Sequence, residues 1–215
     1  MQTGSRLCEK LIGRYFGSYG ASCHSTNTGN RAFADGGRAL RLAAALGLEI
    51  DPASASQRRA IEVYPHPAIV ALFGLPSILR YKAKRGRDLE MRRAELLRLL
   101  ALIGSLEDDQ VRLRVQGCAA WRQICQSVET ATTKAALGRV EDSIDAVVCA
   151  HIARVAGLRA DRVRVLGTVR DGYILTPVTP QIAARIDADR STLPASQQEV
   201  STPQTLPVEA PASLP

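Results

Sequence analysis

Residues 58–93 have the sequence RRAIEVYPHPAIVALFGLPSILRYKAKRGRDLEMRR and combine a short apolar strand with a basic loop. Residues 61–64 are β-branched or aromatic apart from Glu62, which predicts a strand. Pro65 ends this strand because proline has no backbone N–H to donate. Glu62 therefore lies inside an apolar run, where an ionised carboxylate is costly unless it is paired, faces water or binds a metal.

The basic loop that follows holds five cations within eight residues: Arg80, Lys82, Lys84, Arg85 and Arg87. An acid on a strand followed by such a loop favours a site for a polyanion, and the loop would contact a nucleic-acid backbone in a salt-dependent manner. A solvated loop held by structural salt bridges gives the same pattern. Residues 58–98 contain ten Lys and Arg against four acids and so supply most of the net charge of +7.

The composition fits a globular protein. A length of 215 residues suits one domain with a hydrophobic core, and 46% of the residues are hydrophobic. No run approaches the length of a membrane span, and residues 1–10 lack the apolar region of a secretory signal. The five cysteines are odd in number and contain no CxxC pair, which indicates reduced thiols. We therefore expect a cytoplasmic protein without a membrane partner.

Helices and strands are expected as far as residue 180. The pattern predicts helices over residues 5–16, 35–46, 67–73, 89–103, 116–130 and 141–156, and strands over residues 163–166 and 173–176 around a turn at Asp171-Gly172. The last 25 residues hold five of the eleven prolines and no Lys or Arg. Such a segment buries little apolar surface, so residues 181–215 are predicted to form a disordered tail rich in Pro, Ser and Thr.

Three acids, Glu141, Asp142 and Asp145, come at the predicted start of the helix over residues 141–156. Acids in a first turn commonly complement the helix dipole, which is one explanation for them. Asp142 and Asp145 are also three residues apart and so project from one face of the helix. Together with Glu62 they would form the cluster of oxygen ligands that Mg²⁺ or Mn²⁺ prefers, and paired ions of this kind support phosphodiester cleavage.

Four motifs resemble domain-of-unknown-function family 429 (DUF429): EVYPHPAIVALFGLP, the YKAKRGR segment, EDSIDAVVCAHIA and GYILTPV. They occur in the order expected for the family, over roughly residues 5 to 178. The resemblance implies an α/β domain over residues 1–180 with a ribonuclease-H-like mixed sheet flanked by helices. It also implies a metal-dependent nuclease with Mg²⁺ or Mn²⁺ as cofactor, in which Glu62 is the central-strand acid and Asp142 and Asp145 are the last-helix acids.

The start of the sequence departs from the family pattern. Members usually open with a strand that carries a Gly-x-Asp motif, whereas this sequence begins in the predicted first helix. Asp35 is a predicted helix cap and Asp51 lies in a loop, so neither supplies that acid. We therefore expect a fold that is incomplete at its N-terminus. The protein is then either a nuclease-like protein, active or inactive, or a non-catalytic remnant that binds nucleic acid or has a structural role. His66, in the Pro-His-Pro turn, is an auxiliary candidate for positioning phosphate or water, or a plain turn residue.

Overall fold

The computed structural model describes residues 4–25 and 37–191, which form a mixed α/β protein that is mostly helical. The helices are α1 (Leu7–Phe16), α2 (Gly37–Ala45), α3 (Pro65–Phe73), α4 (Leu89–Ser105), α5 (Ala119–Glu129), α6 (Lys134–Leu158) and α7 (Pro180–Ser191). The strands β1 (Val163–Thr168) and β2 (Gly172–Pro177) form an antiparallel hairpin. Within these ranges no helix combines the length and apolar character that a membrane crossing requires. The predicted cap of α2, Asp35, lies outside the described residues.

The hairpin separates two hydrophobic clusters, because successive strand residues point to opposite faces of a sheet. One face, which includes Val165 and Tyr173, belongs to a cluster built with helices α3 to α6. The other face, which includes Leu166 and Ile174, packs against α1 and α7. The described residues are therefore arranged in three layers, with a single hairpin between two groups of helices.

The segment predicted as a strand over residues 61–64 lies beside the hairpin but pairs with it at one point only. Val63 forms a single parallel bridge with Leu175, whose N–H donates to the Glu62 carbonyl over 2.8 Å. Helix α3 begins at Pro65 directly afterwards, because a proline at the first helical position gives up no hydrogen bond. The prediction of a strand over residues 61–64 is therefore wrong, although the bridge at Val63 does bring Glu62 to the edge of the hairpin.

Helix α6 is longer than the sequence pattern predicts. It begins at Lys134 rather than at residue 141, because Thr133 acts as its N-cap and accepts a hydrogen bond from the Ala136 N–H over 3.1 Å. The three acids at residues 141, 142 and 145 consequently lie within the helix. The effect of the helix dipole is limited to the first turn, so the dipole explanation for these acids is wrong.

The helical part of the chain continues past the predicted boundary at residue 180. Helix α7 occupies Pro180–Ser191, and its Ile182 and Ile186 are each 1% exposed and pack against α1. Two isoleucines four residues apart form an apolar stripe that a helix can bury. The prediction of disorder is therefore wrong for residues 181–191, and residues 192–215 lie outside the described residues.

Candidate functional site

Glu62 is paired with an arginine from the start of α1. The Arg6 guanidinium donates to both carboxylate oxygens of Glu62, over 2.8 and 2.5 Å, and its Nε donates to Glu9 over 3.0 Å. The hydrogen bond to Glu62 is the main cause that raises the pKa of Arg6. Two-pronged pairs of this kind are among the stronger charge-assisted contacts in proteins. Both oxygens of Glu62 therefore already have a cationic partner.

On α6, Glu141 and Asp145 share one face, whereas Asp142 is exposed. The Lys82 ammonium lies between them, 3.0 Å from Glu141 and 2.5 Å from Asp145. The Glu141 and Asp145 side chains are only 13% and 16% exposed. The predicted pairing of Asp142 with Asp145 is thus corrected to Glu141 with Asp145, a spacing of four residues that also places two side chains together on a helix.

Two further side chains complete a charge-balanced network around these acids. The Tyr81 hydroxyl donates to Asp145 over 2.7 Å, and Arg92 donates to Glu141 over 3.0 Å. Burial, together with the nearby Asp145 carboxylate, raises the pKa of Tyr81, so its hydroxyl remains a donor. Burial alone would lower the pKa of Lys82, but its bonds to Asp145 and Glu141 raise this pKa overall. Two carboxylates therefore meet two cations and one hydroxyl.

The three carboxylates predicted to hold Mg²⁺ or Mn²⁺ do not form one site. Glu62 and Asp145 each have a cationic partner, and Asp142 is exposed. In the part of the chain that the structure describes, no three His, Cys, Asp or Glu side chains are grouped so that they could hold a metal ion. A divalent ion needs several oxygen ligands at once. The residues present therefore do not fit the metal that the family resemblance implies.

The basic loop lines a cleft of about 460 Å³ beside the turn that follows α1. Four of its five cations line this cleft, which we call the basic cleft: Arg80, Lys84, Arg85 and Arg87. None of the four forms an ion pair with a carboxylate of the described residues. The fifth, Lys82, is bound to α6 instead.

Arg87 is the most enclosed cation of the basic cleft. It is partly buried, and its Nη1 donates to the Lys82 carbonyl over 3.1 Å. Burial, and then the positive charge of Arg80, lowers the pKa of Arg87. No carboxylate of the described residues forms an ion pair with it. An arginine in this situation is stabilised when an anion binds to its free N–H groups. The chemistry available in the cleft is therefore anion recognition.

His66, the auxiliary candidate, is buried beside two tyrosine rings. It is 8% exposed, and its ring centroid lies 5.5 Å from that of Tyr64 and 5.4 Å from that of Tyr81. Burial, and then the charge of Lys82, lowers the pKa of His66 to about 4. Its ring packs against Tyr81, the residue that donates to Asp145, so His66 contributes to the packing of the network.

We expect His66 to make the protein less stable in mild acid. Its pKa is about 4 in the folded chain and about 6.5 when unfolded, so between these values the unfolded chain binds more protons. Stability is therefore complete above the unfolded pKa and is lost as the pH falls through this window. By about pH 5 the loss from this group is about 2 kcal/mol. Urea unfolding from about pH 7 to about pH 5 measures it.

The matched variants for this measurement are His66→Gln and His24→Gln. His66→Gln should show a weaker pH dependence, although the buried His151, whose pKa is also lowered by burial, still contributes. His24 is exposed, so His24→Gln should follow the parent chain. A pH dependence that is the same in His66→Gln and in His24→Gln contradicts the prediction.

Comparison with known proteins places the chain in a family. A family model described as a protein of unknown function, DUF429, matches residues 1–171, which is most of the chain. This chain is a member of the DUF429 family. The DUF429 match includes the basic loop and α6, and it ends just before β2. Searches of curated proteins and of solved structures gave no significant match.

Proposed function

We propose that this DUF429 protein binds the phosphate backbone of a nucleic acid through the basic cleft. The observation that carries the proposal is Arg87, which lines the cleft with Arg80, is partly buried and has no carboxylate ion-pair partner among the described residues. Backbone phosphates are closely spaced anions, and clustered Lys and Arg side chains are the groups that neutralise them. The net charge of +7 also favours the encounter.

The shape of the basic cleft suits a polymer better than a single small anion. Arg80, Lys84 and Arg85 are exposed, while Arg87 lies deeper. Tyr19 also lines the cleft and offers an aromatic surface to a sugar or a base. Cations together with an aromatic side chain are typical of grooves that follow a nucleic-acid strand.

We expect labelled oligonucleotides of mixed sequence to bind with a strong dependence on salt. If four cations contact phosphates, the slope of log affinity against log salt is about −3, because each contact releases about 0.7 to 0.9 counterion. Fluorescence anisotropy between about 50 and about 200 mM salt gives this slope for single strands and for duplexes. Arg87→Met removes one contact and should make the slope shallower by about one unit.

Arg98→Met is the matched control for the salt titration. Arg98 is exposed on α4 and does not line the basic cleft, so its loss removes the same charge at another place. The slope for Arg98→Met should equal that of the parent chain. Binding that does not depend on salt, or equal slopes for Arg87→Met and Arg98→Met, would contradict the proposal.

Metal-dependent cleavage is the alternative function that the family resemblance implies. Because Glu62 and Asp145 already have cationic partners, we expect the protein to bind oligonucleotides without cleaving them. Incubation of the same oligonucleotides with Mn²⁺ or Mg²⁺ tests this. Cleavage that Asp145→Asn abolishes would favour a nuclease instead.

For the finer fold we propose the ribonuclease-H-like class. Two features support it: Glu62 lies on an extended segment parallel to β2, and Asp145 lies on the long helix α6. An experimental structure tests this proposal. In that structure residues 61–64 should pair with β2 along their length, within a mixed sheet flanked by helices, rather than through the single bridge at Val63. A segment that still makes only this one bridge would contradict the class.

A further inference from the structure

Lys82 belongs to the basic loop but turns away from the basic cleft. Its ammonium contacts Glu141 at 3.0 Å and Asp145 at 2.5 Å on α6. The Lys82 side chain is 25% exposed, and both acids are more deeply buried than that. Charges that are partly withdrawn from water interact more strongly than surface pairs. Lys82 therefore differs from the exposed cations of the loop in two ways: its side chain points toward α6, and its ion pairs are stronger than surface pairs.

The backbone of the basic loop is also held by hydrogen bonds on either side of Lys82. The Arg92 Nε donates to the Tyr81 carbonyl over 2.9 Å, and the Arg87 Nη1 donates to the Lys82 carbonyl over 3.1 Å. Helix α4 and the loop itself thus fix the backbone on both sides of the Lys82 side chain. Because Arg87 lines the basic cleft, a change in the position of Lys82 also moves an arginine that faces the anion.

We infer that Lys82 is the resident cation of the Glu141–Asp145 pair and that it positions the basic cleft without contacting the anion itself. Two neighbouring carboxylates repel each other and attract a cation. Here the cation is an ammonium attached to the loop, and Arg92 on the other side of Glu141 completes the charge balance. The acids thereby tie the loop to α6 and leave no place for a divalent ion. The positioning role rests on the proposed function, whereas the assignment of the cation does not.

A calorimetric titration with MnCl₂ tests the cation assignment. The parent chain should show no Mn²⁺ binding that depends on Asp145, because Lys82 occupies the pair. Lys82→Met uncovers two partly buried carboxylates and should bind Mn²⁺ at least about tenfold more tightly than the parent. Adding Asp145→Asn to this variant should remove the gain. A folded Lys82→Met without the gain, or Mn²⁺ binding by the parent that Asp145→Asn abolishes, overturns the assignment.

Oligonucleotide binding in a salt titration tests the positioning role. Lys82→Met should weaken binding about fivefold, since the loop is no longer held in its binding conformation, but it should leave the salt slope unchanged. Arg85→Met removes the same charge from the cleft and should make the slope shallower by about 0.7 to 0.9. Lys82→Arg keeps a cation between the acids and should preserve both affinity and slope. A slope in Lys82→Met as shallow as that of Arg85→Met overturns the role.

The two titrations distinguish a failure of the proposed function from a failure of the cation assignment. If the parent chain binds no oligonucleotide, the proposed function is wrong, and the MnCl₂ titration still decides whether Lys82 is the resident cation. If Lys82→Met does not fold, as judged by circular dichroism, Lys82→Gln replaces it in both titrations, because it retains a polar side chain and also removes the charge.

Discussion

Replacing Arg92 by methionine should lower the free energy of unfolding by about 3 kcal/mol. Arg92 is 2% exposed, and it donates to the carbonyls of Tyr81 and Lys134 over 2.9 and 3.4 Å. It also donates to Glu141 over 3.0 Å. Methionine is apolar and would leave these carbonyls without that donor and Glu141 with one cation fewer. Removing one partner of a buried charged pair costs about 3 to 5 kcal/mol, because the other group is left uncompensated.

Urea unfolding followed by circular dichroism measures this loss, with Arg98→Met as the control. Arg98 lies on the same helix and is exposed, so its replacement should change the free energy of unfolding by no more than about 0.5 kcal/mol. Arg92→Lys retains the charge but cannot reach three acceptors at once and should give an intermediate loss. Equal stabilities for Arg92→Met and Arg98→Met would show that the network around α6 adds little.

Features that depend on local sequence could be predicted. Helix α4 begins at the predicted Leu89, because the Asp88 side chain accepts a hydrogen bond from the Met91 N–H over 2.8 Å. The hairpin likewise forms around the predicted turn at Asp171-Gly172. In both cases the signal is a polar or flexible residue next to an apolar pattern, and its action reaches only a few residues along the chain.

The ion-pair and hydrogen-bond partners of the acids could not be predicted in the same way. Arg6 and Glu62 are 56 residues apart, and Tyr81 and Asp145 are 64 residues apart. Such contacts depend on how the helices and strands pack, which no local pattern encodes. The sequence therefore identified acids that need a partner, but it could not distinguish a metal ion from an arginine or a lysine.

The sequence pattern alone could not decide which acid of α6 shares a face with Asp145. Spacings of three and of four residues both place two side chains on one side of a helix, so Asp142 and Glu141 were equally good companions for Asp145. Packing decides between them. Asp142 is exposed, whereas Glu141 lies where Lys82 and Arg92 can reach it.

Gly167→Ala should destabilise the protein by about 4 kcal/mol, because the hairpin has no room for a side chain at this position. Gly167 has a φ of 97°, which lies in the range that residues with a side chain rarely adopt. An added Cβ would overlap the Gly172 carbonyl oxygen and would lie 2.9 Å from the Cβ of Cys8 on α1. Relief requires the two strands to separate or α1 to move, and both changes open the cluster that α1 forms with the hairpin.

Gly138→Ala is the matched control for this substitution. Gly138 lies on α6, and a Cβ built there has no atom within 4 Å apart from the glycine, its neighbours and the backbone of the helix itself. Because alanine favours a helix over glycine, this variant should be more stable than the parent by about 0.5 to 1 kcal/mol. Urea unfolding of both variants then separates the general effect of adding a methyl group from the particular geometry of the hairpin. If Gly167→Ala unfolds at the same urea concentration as the parent, Gly167 does not lie as close to β2 and α1 as the structure shows.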